Sequence, residues 1–496
     1  MAWWNPATWF GGDKGGVPRA WRFIRAKFDA AQTTPNNRRH WANADGLSAD
    51  AAANAEVRRI LRNRARYETA NGCYLKGIVQ TLANDVVGTG PRLQMLTDGA
   101  DVNQTVEKEF AAWAKAVRLP EKLRTMRMAR AQDGEAFAVL FSNDRLGHAV
   151  KLDLRLVEAD QVATPSAKLG VPGAALAVDG IEFDPFGNPV AYHILKSHPG
   201  GGAVAGAFSA MSFDRVPADA MIHWFRMDRP GQSRGLPDIL PAIPLFGQLR
   251  QYRQAVLDAA RTAANIALFM KTNAPAGGEA AEVEPMTEME FAPNMAVFAP
   301  EGWEPSQVKA EQPTTTFSEF CTGIVGEAAR CVNMPKNVAL CDSSGYNYAS
   351  GRLDHQTYFK SIRVEQAHLE DVVLDRIFAA WLNEAVRVFG FGRADDWPHQ
   401  WFWDGREHVD PAKEASAQTA RLASHTTTLA TEYARQGKDW ETELRQRAKE
   451  VALAKELGLT TAQTAPAAPA GPADRPDVTE DDDDDDEDER QESRAA

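Results

Sequence analysis

An α+β fold is the class this sequence predicts, and three observations carry it. Apolar residues recur at helical spacing in most stretches between Ala49 and Glu456, while the block from Glu135 to Met227 alternates as strands do. Those strand patterns come as one run with helical stretches on either side, which suits a mostly antiparallel sheet flanked by helices. The 496 residues allow two to four domains at ~150 residues each. With 44% hydrophobic and 25% charged residues, the chain is neither collagen-like, nor a small disulfide scaffold, nor wholly disordered.

The elements follow in order. Residues 1–48 mix Trp, Gly, Pro and Asn and read as an arm, with Trp21, Phe23, Ile24 and Phe28 set among Arg19, Arg22, Arg25 and Lys27. Such interleaving serves nucleic acid or anchors the arm on a neighbouring subunit. From Ala49 to Val87 the spacing is helical, stopped by Gly88 and Gly90-Pro91. Asp101–Arg118 and Glu121–Gln132 follow as amphipathic and basic helices. Arg58, Arg59, Arg62, Arg66, Arg124, Arg127 and Arg130 are expected on a solvated or inter-subunit face, with DNA contact as the other reading.

Strands are expected at Glu135–Phe141, Lys151–Val157 and Met221–Met227, with a hairpin in IEFDPFGNPVAYHIL turning at Asp184–Asn188. After prolines ending at Pro244, Leu245–Lys271 reads as one long helix; Arg250, Arg253 and Arg261 fall near one side of it. Residues 272–312 hold eight Glu and one Lys, and their prolines forbid a long helix but leave room for a short strand such as MAVFA. Thr315–Met334 is helical. The polar loop CDSSGYNYASGR then leads into a helix from Leu353 to about Phe389, striped by Ile362, Leu369, Val373, Ile377, Trp381 and Val388. An aromatic connector precedes a helical pair over Lys413–Glu456, broken at Gly437.

The net charge of −13 is concentrated at the C-terminus, where residues 474–496 carry 13 acids and 3 bases. Residues 460–496, a Pro/Ala/Thr spacer and an Asp run, are expected to be a disordered acidic tail. No apolar run approaches the ~18–20 residues of a membrane helix and no secretory segment opens the chain, so a cytosolic product without a membrane anchor is expected. Four cysteines, Cys73, Cys321, Cys331 and Cys341, fit neither a zinc site nor a disulfide framework.

Catalytic motifs are absent. GGDKGG lacks the phosphate-binding frame, no G-x-G-x-x-G follows a strand, there is no G-x-S-x-G, and the ten histidines form no HExxH. His399, Asp404 and His408 look more like a packed connector than a metal cluster. No catalytic residue, metal or cofactor is therefore expected, leaving an order of parts: helix, acidic excursion, returning helix, polar loop, longer helix. A helix–excursion–helix pair makes sense if copies pack side by side, burying flanks that one chain leaves open.

Several ordered blocks carry a family resemblance: RNRARYETANGCYLKGIVQTLANDVVGTGPRLQ, RMARAQDGEAF, MIHWFRMDRPGQSRGLPDILPAIPLFGQLRQY, NYASGRLDHQTYFKSI and the terminal SRAA. Together they resemble the lambda-type bacteriophage portal proteins, over roughly residues 45–460. The resemblance implies a homo-dodecamer at one capsid vertex of the virion, assembled in the host bacterial cytoplasm, through which double-stranded DNA is packaged and ejected without sequence specificity. Its implied partners are the terminase large subunit, head-completion and head–tail joining proteins, and capsid and scaffold proteins, with no membrane.

By position, the resemblance makes 49–235 the wing, 236–271 the first stem helix and 272–312 the clip. It makes 313–336 the second stem helix, 337–352 the tunnel loop, 353–409 the long wing helix and connector and 410–459 the crown region; the arm, 1–48, and the tail, 460–496, fall outside it and their roles stay open. Glu279, Glu282, Glu284, Glu288 and Glu290 would then dock terminase. Ser343, Ser344, Tyr346, Asn347, Tyr348, Ser350 and Arg352 would line the DNA channel. Few cations near the channel suit sliding, because each Lys/Arg–phosphate contact adds affinity through counterion release. A phage-encoded nuclease or hydrolase is the alternative.

Overall fold

Residues 34–165, 176–201, 212–265, 269–272, 303–306, 315–391, 397–405 and 411–459 are described by a computed structural model. The chain divides into two units, Met1–His399 and Gln400–Ala496.

In the first unit the stretch expected as one helix is three: α1 (Ala49–Ala52), α2 (Ala55–Asn71) and α3 (Cys73–Val87). Asn54 caps α2 by accepting from the Val57 amide at 3.1 Å, satisfying one of the otherwise orphaned donors. The break falls at Gly72, whose backbone is extended at ψ 111°; a Cβ there would lie 2.8 Å from the Glu68 carbonyl oxygen. Strand β1 (Arg92–Met95) precedes α4 (Ala100–Ala116) and α5 (Leu119–Asp133), which agree with expectation to within two residues.

The single sheet expected next is two antiparallel ones. Strands β2 (Glu135–Ser142), β3 (Leu152–Val157) and β8 (Met221–Phe225) form one, ordered β3-β2-β8. Strands β4 (Leu176–Val178), β5 (Ile181–Phe183), β6 (Pro189–Leu195) and β7 (Phe213–Pro217) form the other in chain order. The β5–β6 turn sits where the sequence placed it, held by Asp184 Oδ1, which accepts from the Phe186 and Asn188 amides at 2.9 and 2.7 Å.

Helix α6 spans Ala242–Asn265. It starts earlier than expected because Pro244 fits the first turn, where a missing N–H breaks no intrahelical bond. It ends before Lys271: residues 269–272 form strand β9 (Phe269–Thr272), paired antiparallel with β10 (Trp303–Ser306). Thus the helix expected over 236–271 is a shorter helix followed by a strand. The returning helix α7 (Phe317–Ala329) is likewise shorter than 313–336, with a 3-10 turn over Arg330–Val332.

The segment 337–352 is only partly a loop, since α8 (Lys336–Leu340) enters it and α9 (Tyr348–Leu369) begins five residues before Leu353. A π-helical turn, Glu370–Leu374, joins α9 to α10 (Asp375–Phe389). Its wider winding falls where Leu369, Val373, Leu374 and Ile377 all enter the core. Val388 does not share that stripe and is 43% exposed.

The helical core is aromatic. Phe110 sits 5.2 Å from Trp381 and 5.7 Å from Phe378, both edge-on, and Trp113 Nε1 donates to the Leu152 carbonyl at 2.8 Å. Strand β11 (His399–Phe402) crosses the boundary between the units. The expected helical pair of the second unit is three helices, α11 (Pro411–Ala423), α12 (Leu429–Arg435) and α13 (Trp440–Glu456). No described helix is long and apolar enough to cross a membrane.

Candidate functional site

Two sequence blocks meet at a buried charge centre. Helix α5 ends at Gly134, whose left-handed backbone (φ +91°) releases the chain into β2. A Cβ on Gly134 would lie 2.4 Å from the Leu236 backbone, and one on Gly235 would lie 2.0 Å from the Gly134 carbonyl oxygen. The DGE and RGLPD segments thus cross backbone against backbone. That crossing sets Arg234 on Glu135: Nε and Nη2 donate to the two carboxylate oxygens at 2.7 and 2.6 Å. Both residues are buried.

The rest of Arg234 is also satisfied, donating to the carbonyls of Val162 and Ala159 at 3.1 and 3.2 Å and to that of Asp179. His223 Nε2 lies 3.1 Å from the same carboxylate, its ring stacked between Phe137 and Phe225 at 4.3 and 4.4 Å. Burial alone would raise the Glu135 carboxyl, but the Arg234 charge and the hydrogen bonds of His223 and Arg234 outweigh it and hold the group well below the carboxylate range. Burial pushes the His223 ring down, with the Glu135 hydrogen bond opposing.

Helix α2 supplies more cations to this centre. Arg62 meets Asp160 at 2.7 Å, Arg66 meets Asp133 at 2.6 Å, and Arg58 pairs with Asp179. A second cluster joins Arg127, Arg130 and Arg226 to Asp238 at 3.0, 3.7 and 3.1 Å. Glu365 of α9 closes it at 2.5 Å from Arg127 and 3.1 Å from Arg130. The expected solvated arginine face is therefore corrected: Arg58, Arg62, Arg127 and Arg130 are buried ion-pair partners, and Arg59 alone of the α2 set points outward, pairing with Glu56 at 2.5 Å. The periodicity that made them look like a surface stripe puts residues four apart on one helix face; it does not say whether that face meets water or acids.

Glu158, Asp160 and His198 bring their ligand atoms within 4.8 Å of one another. Arg62 and Arg66 already meet Asp160 at 2.7 and 2.8 Å, so two guanidinium groups supply the positive charge that a cation would. His399 is held at 3.3 Å from Asp375 in the first unit, and His408 lies outside the described residues.

Upon this base stands the hairpin of α6 and α7, with the β9–β10 ribbon between them in sequence. Tyr252 packs on Phe317 and Phe320 with ring centroids 5.8 and 5.1 Å apart. Between Arg250 and Thr262 only Val256 is buried, so α6 keeps most of its circumference open. Arg250 leaves the expected basic stripe: it pairs with Glu68 at 2.9 Å and lies 4.9 Å over the Tyr67 ring.

Of the expected channel residues, Ser343, Ser344 and Asn347 are exposed and Tyr346 is half-buried in the short loop between α8 and α9. Asn337, buried at its base, donates to Ser343 Oγ at 3.4 Å and reaches His355 Nε2 at 3.1 Å, while Asp342 accepts from the Ser344 amide at 2.9 Å. Tyr348 and Ser350 are in the first turn of α9, and Arg352 is exposed just beyond. Tyr358 anchors that helix on α3 by donating to Asp85 at 2.6 Å. The acidic residues Glu279, Glu282, Glu284, Glu288 and Glu290, the MAVFA segment, the arm before residue 34 and the tail after residue 459 lie outside the described residues.

Residues 35–366 match the family described as phage portal protein, lambda family. The chain is 25% identical over 431 residues to a probable portal protein of Halomonas phage phiHAP-1, covering 80% of this chain and 81% of that one. Among solved structures it is similar to a chain in the neck of a native gene transfer agent particle computed with C12 symmetry, at 14% identity and a TM-score of 0.44, over 75% of this chain and 92% of that one. A chain in the virion of a native gene transfer agent particle is similar at 13% identity and a TM-score of 0.45, over 76% and 92%.

Proposed function

Because this chain belongs to the lambda family of phage portal proteins, we propose that twelve copies close into a ring at one capsid vertex and form the conduit for double-stranded DNA. The family is structural, not enzymatic, which sets aside the nuclease or hydrolase alternative, and portal proteins are virion components. The observation that carries the ring is α6: a long helix that buries one narrow stripe in its own chain needs neighbours for its flanks.

In this reading residues 49–235 are the wing, 236–271 and 313–336 the stem, 272–312 the clip, 337–352 the tunnel loop and 410–459 the crown. The first buried ion cluster lies within the wing, and the second ties the wing, through Asp238 and Glu365, to the segment before α6 and to α9. The loop carrying Ser343, Ser344, Tyr346 and Asn347 offers hydroxyl and amide groups to a passing duplex. Phosphate finds no dense cation grip there, as sliding requires. Glu279, Glu282, Glu284, Glu288 and Glu290 dock the terminase large subunit through basic patches on that partner, and head-completion proteins follow on the same face.

The test is a packaging assay with the clip variant Glu284→Lys/Glu288→Lys. Intact rings that no longer support terminase-driven packaging are expected; normal packaging by the variant rings would remove the clip assignment.

A further inference from the structure

The α6–α7 hairpin presents two unlike flanks. On one, Tyr252, Thr316, Glu319 and Phe320 line a cleft of about 470 Å³, with Phe320 52% exposed. On α6 each residue advances about 100°, which places Arg253 and Leu257 about 100° and 140° from Tyr252 and within about 40° of each other. The opposite flank therefore carries a ridge, Leu257 (54% exposed) beside the exposed Arg253. The cleft joins two aromatic rings to an acid, and the ridge joins an aliphatic side chain to a base. Among the described residues neither Arg253 nor Glu319 has an ion-pair partner.

We propose that the ridge of one copy seats in the cleft of the next, Leu257 between Tyr252 and Phe320 and Arg253 against Glu319. The occupant is a second copy of this chain, because apolar side chains and opposite charges match between the two flanks and not within either. A contact between two different patches is head-to-tail, and such contacts propagate until they close a ring. This seam rests on the ring reading above and names the residues that make it.

Arg253→Glu and Glu319→Arg in the full-length chain test it. Both residues are exposed, so each variant should fold, checked by circular dichroism and melting, yet remain at the single-chain mass of 54.4 kDa by light scattering. Mixing the two variants in equal amounts should restore rings, since an alternating ring of even number places opposite charges at every seam; Arg253→Glu/Glu319→Arg in one chain should do the same. The milder pair Arg253→Gln/Glu319→Gln should assemble with less sensitivity to salt than the wild type. Single variants that form wild-type rings, or single variants rescued by neither mixture nor double change, would overturn the seam. A wild-type chain that never leaves 54.4 kDa would count against the ring and the seam together; wild-type rings with indifferent variants would count against the seam alone.

Discussion

Replacing Arg234 by Met removes the cation at the centre of the first buried charge cluster while keeping most of the side chain's length. Its two bonds to Glu135, at 2.7 and 2.6 Å, disappear, along with those to the carbonyls of Val162, Ala159 and Asp179. Glu135 is left buried with His223 at 3.1 Å, the Gly235 amide at 3.2 Å and Arg62 only at 3.8 Å. Breaking one side of a buried pair costs about 3–5 kcal/mol, whereas replacing both partners by apolar residues costs much less. Arg234→Met is therefore expected to lose about 3–5 kcal/mol. Arg234→Met/Glu135→Leu should be more stable than that single variant, because no buried charge is left without its partner, though His223 and the Gly235 amide, which lose their acceptor, keep it below wild type. Urea unfolding followed by tryptophan fluorescence reads both, Trp224 being fully buried next in sequence to His223, which meets Glu135. A loss under ~0.5 kcal/mol for Arg234→Met, the range of a surface change, or a double variant that falls by the sum of the two singles, would refute this role.

Three further outcomes are expected. Gly134→Ala should cost about 2–4 kcal/mol, joining a strained positive φ to an approach of 2.4 Å on the Leu236 backbone, and a neutral result in the same urea assay would contradict the crossing. Acidification should destabilise the fold in two stages: His223 and His368 are held below their ordinary 6.5 by burial, so stability present above 6.5 is lost as pH falls through their folded values. Glu135 and Asp160, held low against burial by their arginines, extend the loss below the ordinary 4.5 and 3.8, while Asp133, raised by burial, opposes it. The slope should stay within ~1.4 kcal/mol per pH unit for each group, and melting temperatures unchanged from pH 7 to 4 would refute the assignment. Deleting residues 475–496 should leave assembly unchanged by light scattering; loss of oligomers would make the acidic tail structural.

Asp184–Asn188 shows what a sequence states directly: a turn built from local hydrogen bonds is written in adjacent residues, and it stands where expected. The same holds for α4, α5 and the apolar stripe from Ile362 to Trp381, where one face repeats at helical spacing. Arg62 and Arg127 show what is not written there. Their partners lie 98 and 111 residues away, in Asp160 and Asp238, so a basic helix face bound for acids in the interior reads the same as one bound for water. The end of α6 is not written in the sequence for a related reason, since Phe269–Thr272 is a strand paired with Trp303–Ser306, more than thirty residues away. The crossing of Gly134 and Gly235 left one legible trace, two glycines beside charged residues in separate blocks, whose meaning appears only when the blocks meet.

Negative-stain electron microscopy of the purified full-length chain, with its mass by light scattering, tests the conduit most directly. Rings with a central hole and a mass near twelve times 54.4 kDa are expected. Closed particles without a hole, or single chains that persist at every protein concentration, would contradict it.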